Sequence, residues 1–207
     1  MSYRTSLTEK GLIIKSQEYP PNKRIVYFFT QKGELITLFT SHSAKKWQQL
    51  SYLIPLTEVE VTYFPSKNSD CFYLQEATIL SQTDLYQQTF DYIEVIGKIA
   101  ATILYSQMPG KFSPLLYALC TSYTHHLPNW SDPYTLLCSF YLKLLRYEGL
   151  INFSSSYEAR CGINFSIQEL KEVYRLGYAK EFNRIVDPIS IELKNKIFTL
   201  FDSLFYE

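Results

Sequence analysis

The sequence predicts an α+β protein in which a small closed antiparallel barrel of five strands is followed by a helical region. Between Gly11 and Leu80, five short runs rich in β-branched and aromatic residues are separated by turn residues, which is typical of such a barrel. After Leu80 the spacing of apolar residues changes from a period of 2 to about 3.6, as in amphipathic helices. We therefore predict a barrel domain over residues 1–80 and a helical domain over residues 81–207.

Turn residues set the limits of the predicted strands. Pro20 and Pro21 separate the first two strands, because proline has no N–H to donate to a strand ladder. Gly33 allows the positive φ of a tight hairpin between the second and third strands. The strict alternation from Glu58 to Tyr63 predicts a strand with one solvated face. The predicted strands are Leu12–Lys15, Arg24–Thr30, Leu35–Thr40, Leu56–Phe64 and Phe72–Leu80.

Capping signals predict five helices behind the barrel. Proline at the first helical position and a capping box are the strongest of these signals. Ile93 is expected on the buried stripe of the first helix, and Gly177 is expected to end the fourth. The start signals in chain order are Thr83 or Asp84, Ser113-Pro114, Ser131-Asp132-Pro133, Ser166 with Glu169, and Asp187-Pro188.

Charge is unevenly distributed along a chain whose net charge is zero. The first 50 residues hold eight Lys or Arg and three acidic residues, a surplus of +5 that the rest of the chain balances. This asymmetry favours an N-terminal domain that faces a polyanion, with an ordinary solvated surface as the alternative. The four cysteines form no C-x-x-C pair, and no stretch is apolar for 18 residues, so we expect reduced thiols, no membrane span and a cytoplasmic protein.

Catalytic motifs are missing from the sequence, so we expect a protein that is not an enzyme. It contains no phosphate-binding glycine loop and no G-x-S-x-G motif. His125 and His126 are the only histidine cluster, and adjacent helical residues point in different directions. A site assembled from scattered residues is the remaining enzymatic alternative.

Basic and aromatic residues in the first 50 positions predict a nucleic-acid interface, because single strands bind through backbone charge and base stacking. Phe28 and Phe39 are further stacking candidates, with burial in the barrel core as the alternative. The residues predicted to contact nucleic acid are Lys23, Arg24, Lys32, Lys45, Lys46 and Trp47.

Three stretches resemble the RecO family of DNA recombination-repair mediators. The block Gly11–Thr40, with its run from Lys23 to Leu35, is similar to the opening strands of the family. Ala44-Lys45-Lys46 leading to Ile54-Pro55-Leu56 resembles its basic linker. The stretch Phe140–Gly149, followed by Glu158–Gly162, resembles a family helix and the region after it.

The resemblance implies an N-terminal OB-fold, a helical C-terminal domain, and binding of single- and double-stranded DNA. It also implies strand annealing, and RecA loading together with RecR and single-strand-binding protein. The family's four-cysteine zinc site is not matched, because Glu158 stands where the first cysteine would be, so we expect no zinc and no other cofactor. The alternative function is a protein-interaction module in which the helical domain acts and the barrel is a scaffold.

Overall fold

A computed structural model describes residues 6–19, 23–41, 55–65, 72–82, 89–108, 110–151, 162–185 and 187–206. An N-terminal closed barrel of five strands precedes the helices, which confirms the predicted fold class. Contacts group the chain into two compact units, residues 1–124 and residues 125–207. The domain limits inferred from the sequence stay a prediction.

The barrel closes in the strand order β1-β2-β3-β5-β4, with β4 pairing back to β1. All pairs are antiparallel except the short parallel contact between β3 and β5, which the sequence did not predict. That parallel pair is possible because the chain crosses through β4 before it returns as β5. The strands are β1 Leu7–Tyr19, β2 Lys23–Thr30, β3 Leu35–Ser41, β4 Glu58–Pro65 and β5 Phe72–Ser81.

Alternate residues of the strands fill the inside of the barrel, as the period of 2 requires. β1 continues to Tyr19 instead of ending near Lys15, because a bulge between Ile13 and Lys15 shifts the register without breaking the pairing. Gly11 lets β1 approach the Phe28 ring, since a Cβ there would lie 2.6 Å from Phe28 Cζ. The barrel core consists of Ile13, Val26, Phe28, Ile36, Leu38, Val59, Val61, Tyr63 and Leu74.

The β2–β3 hairpin packs against the start of the second helix. Gly33 has φ +80°, and its carbonyl accepts a 2.9 Å hydrogen bond from the Ser113 N–H. A Cβ at Gly33 would lie 2.1 Å from the Ser113 carbonyl carbon. Phe29 on β2 contacts Tyr117, with ring centroids 5.9 Å apart. The helices are α1 Phe90–Ser106, α2 Pro114–His126, α3 Pro133–Tyr147, α4 Ile167–Tyr178 and α5 Ile191–Phe205.

Two predictions for α1 are wrong. Its N-cap is Thr89, which accepts a 3.3 Å hydrogen bond from the Tyr92 N–H, and not Thr83 or Asp84. Ile93 is 42% exposed, because the buried stripe runs through Tyr92 and lies about 100° away from Ile93 around the helix. The start signals of α2, α3 and α4 are confirmed, including the reciprocal capping box of Ser166 and Glu169.

Two further corrections concern α4 and α5. Gly177 is buried inside α4, which continues to Tyr178, so the glycine does not end the helix. Its carbonyl accepts a 3.1 Å hydrogen bond from Arg146 Nη1 on α3. The last helix begins three residues after Asp187-Pro188, because Ser190 is its N-cap and accepts from the Leu193 N–H.

The second unit packs α4 and α5 against α3, most of whose residues are buried. Asp132, the N-cap of α3, is 2.6 Å from Lys194 Nζ on α5. Glu169 on α4 is 2.7 Å from Lys196 Nζ on α5. These ion pairs join different helices, so charge contributes to the architecture of this unit.

Candidate nucleic-acid interface

A row of aromatic side chains crosses the outer face of the barrel. Phe39 on β3 pairs with Tyr73 on β5, and Tyr73 pairs with Phe64 on β4. The Phe64 and Tyr73 rings are stacked, with centroids 5.7 Å apart and an interplanar angle of 28°. Tyr73 is 45% exposed, whereas its two neighbours are half-buried. We call Phe39, Tyr73 and Phe64 the aromatic row.

Strand alternation explains why these rings point outwards. Leu38, Tyr63 and Leu74 belong to the barrel core, and each is the chain neighbour of one member of the aromatic row. Because successive side chains of a strand point to opposite faces, the neighbour of a core residue lies on the outer surface. An aromatic residue in such a position keeps part of its ring in contact with water.

The aromatic row lies at the end of the barrel where several strands end or begin. β1 ends at Tyr19, β2 begins at Lys23, and β3 ends at Ser41, all paired side by side. β4 ends at Pro65 opposite the start of β5. In an OB-fold, the β1–β2 and β4–β5 loops and the face of the second and third strands bind oligonucleotides. Phe39 belongs to the third strand, and Phe64 and Tyr73 lie on the two strands that the β4–β5 connection joins.

Two exposed lysines lie on the outer surface of β1 and β2, and Lys23 is the one near the aromatic row. Lys23 pairs with Ser41 in the ladder, one row beyond Phe39, and Lys15 pairs with Tyr27. Both lysines are exposed, and neither forms a salt bridge with another described residue. Their charge is available to a phosphate group.

Arg24 is placed differently from Lys23. Its side chain is only 10% exposed; Nη1 donates to Ser16 Oγ at 3.0 Å and Nη2 to Glu18 Oε1 at 3.2 Å. Its charge is therefore partly compensated within the protein.

Lys32 lies in the β2–β3 hairpin at the other end of the barrel. Seven residues of β2 separate that hairpin from Lys23, about 23 Å at 3.3 Å per residue. Lys32 forms an ion pair with Glu9, whose other oxygen accepts a 2.9 Å hydrogen bond from the Tyr63 hydroxyl. The hydrogen bond and the charge of Glu9 raise the pKa of Lys32. Burial and the same carboxylate raise the pKa of Tyr63 well above its usual range.

The structure thus separates the predicted contact residues. Lys23 adjoins the aromatic row, Arg24 is paired inside the protein, and Lys32 is at the opposite end. Lys45, Lys46 and Trp47 lie outside the described residues; along the chain they follow Ser41, the last residue of β3.

Sequence reasoning missed Tyr73 and Phe64. The signal was the Phe72-Tyr73-Leu74 triplet, in which alternation places the middle ring opposite to Leu74. Of the stacking candidates proposed from the sequence, Phe28 is fully buried in the core, whereas Phe39 is on the outer face.

The outer surface of β4 and β5 away from the aromatic row carries acidic and polar residues beside the exposed Ile79 and Leu80. Glu60 and Thr62 alternate with the core valines of β4, and Thr62 pairs with Glu76 on β5. Carboxylates repel phosphates, so this part of the surface is less favourable for an anion than the end that carries the aromatic row.

Neither a metal cluster nor a membrane span occurs in the described ranges. No group of three or more His, Cys, Asp or Glu side chains there is placed to hold a metal ion. Glu158 and Cys161 lie outside those ranges, so the absence of zinc stays a prediction. None of the described helices is long and apolar enough to cross a bilayer.

Comparison with known proteins gives three significant relatives, although no family model matches the chain. A DNA repair protein RecO from Chlamydia pneumoniae is 26% identical over 94% of this chain and 86% of its own length. RecO from Clostridium acetobutylicum is 27% identical over 73% of this chain and 61% of its own length. RecO from Chlamydia muridarum is 32% identical over 43% of this chain and 36% of its own length. Taken with the barrel followed by helices, these matches support membership of the RecO family.

Proposed function

We propose that this RecO-family protein is a non-catalytic mediator of DNA repair and recombination that binds single- and double-stranded DNA and promotes strand annealing. The observation that carries the proposal is the aromatic row beside Lys23, at the loop end of the barrel. Its relatives named DNA repair protein RecO support the biological process.

Stacking and phosphate contact have separate roles in this proposal. An exposed ring such as Tyr73 offers a face to any base, so its contribution is independent of sequence. Lys15 and Lys23 neutralise phosphates and release condensed counterions, so their contribution falls as salt rises. Lys45, Lys46 and Trp47, which follow β3 in the chain, are proposed as further contacts to DNA.

The proposal also covers the partners that the family resemblance implies. We propose that the protein acts on strands coated by single-strand-binding protein and assists RecA loading together with RecR. The same proposal places it in the cytoplasm, beside the DNA that it binds.

The first test compares two exposed aromatic residues of the barrel unit. Tyr73→Ala should weaken binding of a dT oligonucleotide by about 1–3 kcal/mol, the usual value of one stacked base, and leave the salt slope unchanged. Phe90→Ala is the matched control, because Phe90 is 76% exposed but lies on α1. Fluorescence anisotropy measures both. Equal losses for the two variants would contradict a stacking role for the row.

The second test concerns the basic segment after β3. Replacing Lys45 and Lys46 together by Ala should weaken binding to all sequences alike, because phosphates carry no base information. The slope of log K against log salt should become shallower by about 1.4, at 0.7 per contact on a single strand. A double variant with wild-type affinity and slope would place binding elsewhere and favour the scaffold function of the barrel.

Annealing is tested with the full chain. The rate at which two complementary strands coated with single-strand-binding protein form a duplex should increase when the protein is added, and increase less with Tyr73→Ala. No acceleration by the wild-type protein would contradict the mediator function.

A further inference from the structure

A second group of cations and rings lies on the helical unit. Lys143 and Arg146 are one turn apart on α3, and each is next to an aromatic ring. The Arg146 guanidinium carbon lies 4.0 Å from the centroid of the Tyr178 ring, and Lys143 Nζ lies 5.6 Å from that of Phe182. We call these four residues the cation–aromatic cluster.

The cluster continues outwards into exposed rings. Tyr178 stacks on Tyr174 with centroids 5.4 Å apart and an angle of 14°, and the two are 43% and 45% exposed. On the other side, Phe182 stacks on the exposed His126 ring at 3.8 Å. Flat surfaces that reach solvent therefore border the two cations on both sides.

Arg146 differs from three other cations of the unit. Arg175, Lys194 and Lys196 each form a salt bridge with a carboxylate. Arg146 forms none with the residues described; its contacts are the Gly177 carbonyl and the Tyr178 ring. Lys180 and Arg184, which flank Phe182 in the chain, are exposed and add to the positive charge.

The positive charges of Lys143 and Arg146 repel each other. Burial and the nearby charge of Arg146 lower the pKa of Lys143 to about 8. An anion placed beside both side chains would offset this repulsion by attracting each of them. The attraction is stronger where the site is partly shielded from water.

We propose that Lys143 and Arg146 bind a backbone phosphate of a nucleic-acid strand, with Tyr174 and His126 as stacking surfaces for its bases. This site is on the helical unit and is additional to the aromatic row of the barrel. The inference rests on the proposed function in one respect, that DNA is a ligand of this protein. Two sites on one chain would allow it to hold two strands, which annealing requires.

The test measures lysine protection on the full wild-type chain. A lysine with a lowered pKa reacts readily with an acylating reagent at pH 8, because only the neutral amine is nucleophilic. Mass spectrometry then gives the acylation rates of Lys143, Lys23 and Lys196 with and without a dT oligonucleotide. At ten times its Kd, the oligonucleotide should slow acylation of Lys143 about tenfold by mass action. Lys196, which is paired with Glu169, should be unaffected.

The outcomes separate the two proposals. Protection of Lys143 together with Lys23 supports both sites, and protection of Lys143 alone supports the helical site and contradicts the barrel interface. Protection of Lys23 alone overturns the helical site and leaves the barrel interface intact. Equal protection by inorganic phosphate at the same phosphate concentration would indicate a free-anion site and overturn the strand site.

Variants give an independent readout. Lys143→Gln with Arg146→Gln should make the salt slope of binding shallower by about 0.7, because the two side chains share one phosphate of a single strand. Lys196→Gln removes one charge from the same unit and should leave the slope unchanged. Arg146→Lys keeps the charge and is expected to retain the wild-type slope. It is the control for any effect of losing the hydrogen bond to the Gly177 carbonyl. A slope equal to that of the wild type in the folded double variant would overturn the proposal.

Discussion

The barrel unit and the helical unit use their charged residues differently. In the helical unit, Asp132 and Glu169 hold lysines of α5 and so join separate helices. In the barrel unit, Arg24 and Lys32 are also paired, but with Glu18 and Glu9 on the neighbouring strand, whereas Lys15 and Lys23 are exposed on the outer surface. Backbone packing at Gly33 joins the hairpin to the start of α2. Substituting the paired charges of the helical unit should therefore affect stability, and substituting the exposed lysines of the barrel should affect binding.

Gly33→Ala disrupts the backbone packing between the hairpin and α2 and has the largest expected effect on stability. The positive φ costs about 1–3 kcal/mol for a residue with a side chain, and the clash with the Ser113 backbone adds to it, so we expect a loss of about 3 kcal/mol or more. Urea denaturation measures the free energy of unfolding.

Gly97→Ala is the matched control for that experiment. A Cβ at Gly97, an exposed position within α1, would meet no atom within 4 Å, so alanine should stabilise the helix by about 0.5–1 kcal/mol. If both glycine variants change stability alike, the close packing of Gly33 is not what holds the hairpin.

Asp132→Ala tests the helical side and should lower the free energy of unfolding by about 2 kcal/mol. It removes the N-cap of α3 and the partner of Lys194 in a pair whose side chains are 15% and 16% exposed. Asp132→Asn keeps a capping side chain and should lose less. Asp202→Ala, at an exposed position of α5, is expected to change stability by less than about 0.5 kcal/mol.

The Asp132 contribution should also depend on pH. Burial alone would raise the pKa of Asp132, but hydrogen bonds from Lys194 and Thr135 outweigh it and hold the pKa below its ordinary value. A lowered folded pKa means that the stabilisation is present above about pH 4 and is lost as pH falls through the folded pKa. The wild type and Asp132→Asn should therefore differ less in free energy of unfolding at pH 3 than at pH 7, as measured by urea denaturation across that range.

Lys23→Gln has the smallest expected effect on stability and separates an effect on binding from an effect on stability. Its loss should change the free energy of unfolding by less than about 0.5 kcal/mol, because the side chain is exposed. The salt slope of DNA binding should become shallower by about 0.7. Lys196→Gln should show the reverse pattern, with about 0.5 kcal/mol lost from stability and no change in the slope.

How far the sequence predicts the molecule depends on the range of the interactions concerned. Alternation in β4 and the capping box at Ser166 are local patterns, and both are confirmed. The aromatic row is not local, because Phe39 and Tyr73 meet only through a parallel pair between distant strands. Ile93 is predicted on the buried stripe but is exposed, because the sequence does not show which side of α1 is covered by its neighbours.

Charge roles were the least predictable part of the candidate site. Lys23 and Arg24 are adjacent in the chain and chemically alike, yet one is exposed and the other is bound to Ser16 and Glu18. Their difference arises from strand alternation at the end of the barrel, where the inward residue meets polar partners on β1. Composition alone therefore overstates the number of cations available to DNA.

Closure of the barrel has a consequence for its synthesis. The pairing of Leu7 with Tyr63 joins residues 56 positions apart, so β1 has an unpaired edge until β4 has been made. At about 5–20 residues per second, that interval lasts about 3–11 s on the ribosome. Such non-local contacts slow folding, and an unpaired strand edge is a site where another chain can add. We therefore expect the nascent barrel to need protection by a chaperone during the interval in which it is open.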